Sequence, residues 1–163
     1  MGAQPLRQVH TIPPLYDAGS RVLILGSFPS VRSREQGFFY GHPQNRFWKV
    51  LSAVCAQPLP DTLPEKRQLL LGQHIALWDV IASCTIVGSS DASLRDIIAN
   101  DIAALLCAAP IEQIYTNGAA ARALYARHCQ PHTHREALRL PSTSPANAAW
   151  DLEKLIAAWS VIV

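Results

Sequence analysis

Four short apolar runs are spaced along the chain, with amphipathic stretches between them. VLIL (22–25), closed by Gly26 and Pro29, reads as a buried strand ended by a tight turn. IALWDV (75–80), EQIYTNG (112–118) and EALRL (136–140) predict three more strands. Helical spacing of Phe47, Trp48, Val50, Leu51, Val54 and Cys55 predicts a helix from Asn45, which takes the N-cap after the extended His42-Pro43 step. PEKRQLLLGQH (64–74) reads as a short helix opened by Pro64 and closed near Gly72. SLRDIIANDIAALLCAAP (93–110) reads as one helix, with Ser93 and Asp96 placed as a capping box and Leu94, Ile97, Ile98, Ile102 and Leu105 on its apolar face. AAARALYARHC (119–129) and NAAWDLEKLIAAW (147–159) complete the helices. Residues 1–20 read as an irregular lead-in, because Pro13-Pro14 blocks a helix.

Strands alternating with helices predict an α/β fold with a four-stranded parallel sheet covered on both faces, in a single domain over 1–163. Ligands of such sheets sit beyond the carboxyl ends of the strands. That edge gathers GSFPS (26–30), Asp79, Thr116-Asn117-Gly118 and LPSTSP (140–145). The segment GFFYGHPQNRFW (37–48), five aromatics in twelve positions, follows the first of these.

Composition narrows the class. With 163 residues, 49% hydrophobic and 16% charged, the chain can bury a core without staples. A net charge of +2 permits a polyanionic partner without demanding one. The four cysteines lie more than twenty residues apart with no CxxC pair, so buried free thiols are expected and neither a zinc ribbon nor an iron–sulfur cluster. HCQPHTH (128–134) reads as a polar surface loop and not as a metal site, and no metal or cofactor is expected. Without an apolar leader or an eighteen-residue apolar run, the expectation is a soluble, cytoplasmic protein with no membrane association. A monomer is expected, although nothing in the sequence speaks to oligomeric state. GxGxxG and GxxxxGK[ST] are absent, so stacking surfaces and hydrogen-bonding edges without a phosphate cradle suit a nucleobase better than a nucleotide cofactor.

GSFPS after an apolar strand, then GHPQNRFWKVL, then LPSTSPANA, resembles the uracil-DNA glycosylase superfamily. HPQNRFWKV is similar to the mismatch-specific branch, while GSFPS and STSPANA resemble the deoxyinosine (hypoxanthine) DNA glycosylase branch. The order of elements agrees from about residue 20 to the end. The resemblance implies a three-layer αβα sandwich, and as partner a DNA containing deaminated bases. It implies a monofunctional N-glycosylase that flips out hypoxanthine, and also uracil or xanthine, and starts base-excision repair.

A glycosylase must extrude its base and hold it in a pocket. Tyr40 matches the position where mismatch-type relatives stack a ring on the flipped base, and Phe28 is a second stacking candidate; Phe47 and Trp48, at helical spacing, read as core. The resemblance places the branch's essential Asn at Asn45, as the group that aims a water at the anomeric carbon. Relatives of the mismatch branch carry Asn in a GxNPG motif where this chain has Phe28. Gly26 and the backbone N–H groups of Ser27 and Phe28 are candidate base contacts. So are Asn117, with a donor and an acceptor for a base edge, and Asp79. Pro141, Ser142, Thr143 and Ser144 match the loop that approaches the DNA strand, and Arg46, with Arg32 and Arg34 behind it, is a candidate phosphate contact. Only three lysines exist, and Lys49 falls one helical turn past Asn45, so a Schiff-base nucleophile is not expected. Two other readings stay open: a lesion-binding module that has lost the chemistry, and a hydrolase of free nucleosides.

Overall fold

The computed structural model describes residues 6–9, 12–86 and 94–163. Its frame is a four-stranded parallel sheet in the order β3-β2-β6-β7, built from β2 (Val22–Gly26), β3 (Ile75–Asp79), β6 (Gln113–Asn117) and β7 (Leu138–Leu140). The four strands are those the apolar runs predict. Side chains alternate across β2, so Ile24 enters one core while Leu23 and Leu25 enter the other. On the first face lie α2 (Phe47–Val54), α3 (Leu63–Gly72) and α7 (Leu152–Trp159), which contribute Phe47, Leu70 and Trp159. On the second lie α4 (Ile102–Ala108) and α5 (Ala119–His128), which contribute Leu105 and Tyr125, with the single-turn α6 (Gln130–Thr133) following α5. Cores on both faces make the three layers of an αβα sandwich.

Three features depart from the sequence reading. Residues 93–110 are not one helix. Arg95–Ala99 forms strand β5, and α4 starts at Ile102 with Asp101 as its cap, whose carboxylate accepts from Ala104 N at 3.1 Å. The β-branched Ile97 and Ile98 suit a strand, and a partner is at hand in β4 (Ile81–Ile86), which continues directly from β3. Ser93, the other half of the expected capping box, lies outside the described residues. The lead-in is also more ordered than expected: β1 (Leu6–Val9) pairs with β4, giving a second, antiparallel sheet β1-β4-β5. Leu15, 1% exposed, bridges Leu77 and so covers the edge of β3. The turn after β2 contains a short helix, α1 (Val31–Gln36), capped by Ser30 and stopped by Gly37 at φ 70.

The aromatic segment divides by function. Phe38 and Phe39 are buried, Phe38 stacks with Trp48 at 6.1 Å, and Phe47 meets Trp159 edge to face at 5.9 Å. These rings fasten α2 to α7 and carry the chain from β2 back to the sheet edge. Tyr40 sits at the end of that core, on the side that opens toward the strand termini.

Candidate functional site

A cavity of about 740 Å³ opens at the carboxyl ends of β2, β3 and β6, within the range of small-ligand sites. Its walls bring together Ser27 and Phe28 from the turn after β2, Tyr40 and Asn45 from the aromatic segment, Asp79, Asn117, and Ser142 to Ser144. Segments far apart in sequence meet here because parallel strands all end on one side.

A hydrogen-bonded ring ties the three walls. Asn45 Oδ1 accepts from Phe47 N at 3.0 Å and from Thr143 Oγ1 at 2.8 Å. Thr143 N donates to Asn117 Oδ1, and Asn117 Nδ2 donates to Thr143 Oγ1, both at 3.0 Å. Arg46 N completes the link by donating to Thr143 O. The need of Phe47 N for an acceptor fixes which end of the Asn45 amide is oxygen. With that oxygen engaged twice, the Nδ2 amino group is the part of Asn45 open to the cavity, so this wall offers a donor.

The floor is polar and tightly built. Tyr40 has φ 53, a left-handed conformation costing on the order of 1 kcal/mol that marks functional sites more often than chance. One face of its ring stacks on Phe47 at 3.9 Å, and its hydroxyl is buried without a hydrogen-bond partner of normal geometry. Burial first, then the charge of Asp79, pushes the Tyr40 pKa upward, while the Asn117 amide opposes them. Asp79 is 5% exposed. A Cβ on Gly26 would lie 2.3 Å from Asp79 Oδ1 and 3.3 Å from the Tyr40 hydroxyl, so any side chain there would displace the Asp79 carboxylate. At the far wall Gly118 has φ 98, and a Cβ on it would come 3.1 Å from Ser142 Cβ.

This arrangement has relatives. The family model "Uracil DNA glycosylase superfamily" matches residues 13–162. The chain belongs to the uracil DNA glycosylase superfamily. It is therefore an enzyme of the DNA N-glycosylase class. The chain is 32% identical over 108 residues to the hypoxanthine DNA glycosylase of Methanosarcina barkeri, covering 65% of this chain and 68% of that protein. It is 35% identical over 94 residues to the hypoxanthine DNA glycosylase of Methanosarcina acetivorans, covering 57% of this chain and 60% of that protein. Its fold matches the solution NMR structure of a Methanosarcina acetivorans protein labelled a uracil DNA glycosylase. There the TM-score is 0.77 at 28% identity, over 93% of this chain and 96% of that one.

Within the superfamily frame, the cavity unites Gly26, Ser27, Phe28, Tyr40, Asn45, Asp79, Asn117, Ser142, Thr143 and Ser144 of the expected site residues; Pro141 and Arg46 stand behind the wall. Several contacts differ from those expected. Arg46 does not point at a phosphate: its guanidinium donates to the backbone oxygens of Thr143, Ser144, Asn147 and Trp150. It is the strut of the 141–147 loop. Thr143 is fully buried, with its amide, hydroxyl and carbonyl all bonded inside the protein, so it holds the loop instead of the DNA. Asn117 has its donor and its acceptor engaged by Thr143, so it reads no base edge with both ends. Asn45 is not the N-cap; Arg46 is, although the Asn45 oxygen still satisfies Phe47 N.

Other predicted residues keep an open surface. Phe28 is half-buried at the cavity, with the Arg34 guanidinium 5.2 Å from its ring centroid. Arg32 lies exposed at the mouth. Residues that sequence reasoning did not single out include Asn147, whose Nδ2 donates to Ser142 O, and Trp159, whose indole donates to Pro141 O at 2.9 Å. Asn147 stood in the matched STSPANA string, a usable signal; Trp159, at the end of the closing helix, carried none. Among the described residues no helix is long and apolar enough to cross a membrane, and no group of three or more His, Cys, Asp or Glu is placed to hold a metal ion.

Proposed function

We propose that this glycosylase removes hypoxanthine from DNA by hydrolysis, leaving an uncut abasic site that enters base-excision repair. The observation that carries the reading is the Asn45 amide, clamped by its oxygen to Phe47 and Thr143 and open to the cavity through its nitrogen. The named activity of the two Methanosarcina relatives supports the choice of base.

In this mechanism an extruded base enters between the aromatic segment and the turn after β2, with Phe28 and Tyr40 as the ring-bearing walls. As the glycosidic bond lengthens, positive charge grows on the sugar and negative charge on the base. A fixed donor stabilises that change without reorganising, and Asn45 Nδ2 serves as one. It grips either a water oxygen or a lone pair of the leaving base. An oxocarbenium-like sugar is electrophilic enough that the water needs placement more than a strong base. The rigid 141–147 loop, held by Arg46 and Trp159, presents its exposed rim at Pro145 and Ala146 to the DNA strand.

The test is a single-lesion oligonucleotide carrying hypoxanthine, uracil or xanthine, in single and double strands, incubated with enzyme and then with alkali. Strand scission from the hypoxanthine duplex only after alkali is the expected result. No abasic site from any substrate overturns the reading, and lesion binding without product identifies a binding module instead. Release of base from free deoxyinosine at the DNA rate identifies a nucleoside hydrolase.

A further inference from the structure

The mouth of the cavity carries two groups that the chemistry above leaves unused. Arg46 and Thr143 are engaged inside the protein, so neither grips the DNA strand. His42 stands exposed on the rim, on the same segment as Asn45. Its Nδ1 accepts from Gln44 N at 3.1 Å. A backbone N–H can only donate, so Nδ1 holds the lone pair and the proton of the neutral ring sits on Nε2. That Nε2–H is a donor of fixed direction at the cavity mouth.

The turn that carries it is held at both ends. Pro43 fixes its own φ, and Asn45 N donates to His42 O at 3.0 Å, which closes a β-turn. On the other side Gly41 N donates to Ser33 Oγ at 2.9 Å, and Ser33 Oγ accepts from Ser30 Oγ at 3.1 Å. A Cβ on Gly41 would come 3.4 Å from Ser33 Cα, so the absent side chain lets this segment lie close on α1. Arg32 is the neighbour of Ser33. Among the described residues it is the one lysine or arginine that lines the cavity, and its guanidinium has no partner there. The Ser33–Gly41 bond thus brings a cation and an oriented N–H to one stretch of rim.

An extruded base enters the cavity, so its sugar and the flanking phosphates stay at the mouth. Phosphate oxygens accept hydrogen bonds and carry charge, which matches an arginine beside a neutral donor. Glu35, one turn further along α1 and also on the rim, repels an anion and leaves the space between Arg32 and His42 as the seat. A phosphate held there also places the sugar relative to Asn45, because the turn ties His42 O to Asn45 N.

We propose that Arg32 and the Nε2–H of His42 clamp one phosphate of the lesion strand beside the extruded nucleotide. The inference rests on the glycosylase reading above and adds to it how the strand is held.

Binding to a duplex with one tetrahydrofuran abasic site, which has no base to lose, tests it. The same duplex is made with single methylphosphonates, which lack the phosphate charge, at each position flanking that site. The proteins are the wild type, Arg32→Gln and His42→Asn; the last keeps an acceptor for Gln44 N and removes the Nε2 donor. One methylphosphonate is expected to weaken wild-type binding about tenfold or more. Each variant is expected to bind the unmodified duplex about tenfold more weakly and to lose less than about threefold further at that position. Arg32→Gln should also reduce the slope of log affinity against log salt by about 0.9. A methylphosphonate penalty as large in either variant as in the wild type, with normal melting, overturns the proposal. So does a wild type indifferent to methylphosphonate at every position, a result that needs no variant to fold. A wild type that releases no base and does not prefer the abasic duplex brings down the glycosylase reading together with the clamp.

Discussion

The oxygen of Asn45 and its nitrogen have different tasks, and a single substitution separates them. Asn45→Asp keeps acceptors for Phe47 N and Thr143 Oγ1 but removes the donor that faces the cavity. It is expected to melt within a few degrees of the wild type while excising hypoxanthine about a hundredfold more slowly, the usual loss for one oriented donor. Asn45→Ala removes the acceptor as well and leaves the O–H of fully buried Thr143 without one, while Asn117 Nδ2 still donates to its oxygen; the lost acceptor costs about 1–3 kcal/mol. Thermal melting beside single-turnover kinetics distinguishes the two variants. The residue type was legible in the string HPQNRFW; which end of the amide is available was not. That depends on a hydroxyl ninety-eight positions away.

Among the elements, the 141–147 loop and the 93–110 segment show how tertiary partners reassign what a local pattern suggests. Arg46 sits beside Asn45 in a site rich in candidate DNA contacts, yet the loop carbonyls take its guanidinium. Arg46→Ala should lower the melting temperature and slow excision by loosening the loop. It should leave the slope of log affinity against log salt unchanged, because loss of a phosphate contact would reduce that slope by about 0.9. Binding to a lesion duplex at several salt concentrations measures it. In 93–110 the apolar residues fit helical spacing, but pairing with β4 offers a ladder that an isolated helix could not match. Asn100, whose Nδ2 donates to Asp79 O and Ile81 O, marks the break between strand and helix.

At the scale of the whole molecule, two cores back one rigid sheet edge, and their burial has a pH signature. Burial, then the nearby charge of Asp101, pushes the Cys129 thiol from the usual 9.0 up to about 11. Burial also raises Cys55 and Tyr125. A raised pKa in the fold means the unfolded chain ionises first. This stability is fully present below pH 9 and is lost as pH rises toward 11. Cys129, 3% exposed, should account for up to roughly 2–3 kcal/mol of that loss. Denaturant unfolding at pH 8, 9.5 and 11 checks this, and Cys129→Ala should flatten the dependence. Cys107, exposed on α4, should be the first thiol to react with a soluble alkylating agent.

Periodicity alone determined the four parallel strands, the cores of α2, α3, α5 and α7, and the edge where a ligand would sit. Those follow from local physics: an apolar run must be buried, and parallel strands end together. The motifs then identified the segments that meet at that edge. The direction of each polar side chain was decided only by the fold, because a hydrogen bond goes to whichever partner the tertiary structure supplies. Thus Arg46 and Thr143 became struts, Asn117 was clamped, β5 replaced a helical turn, and Asp79 was brought over Gly26 to the floor of the cavity.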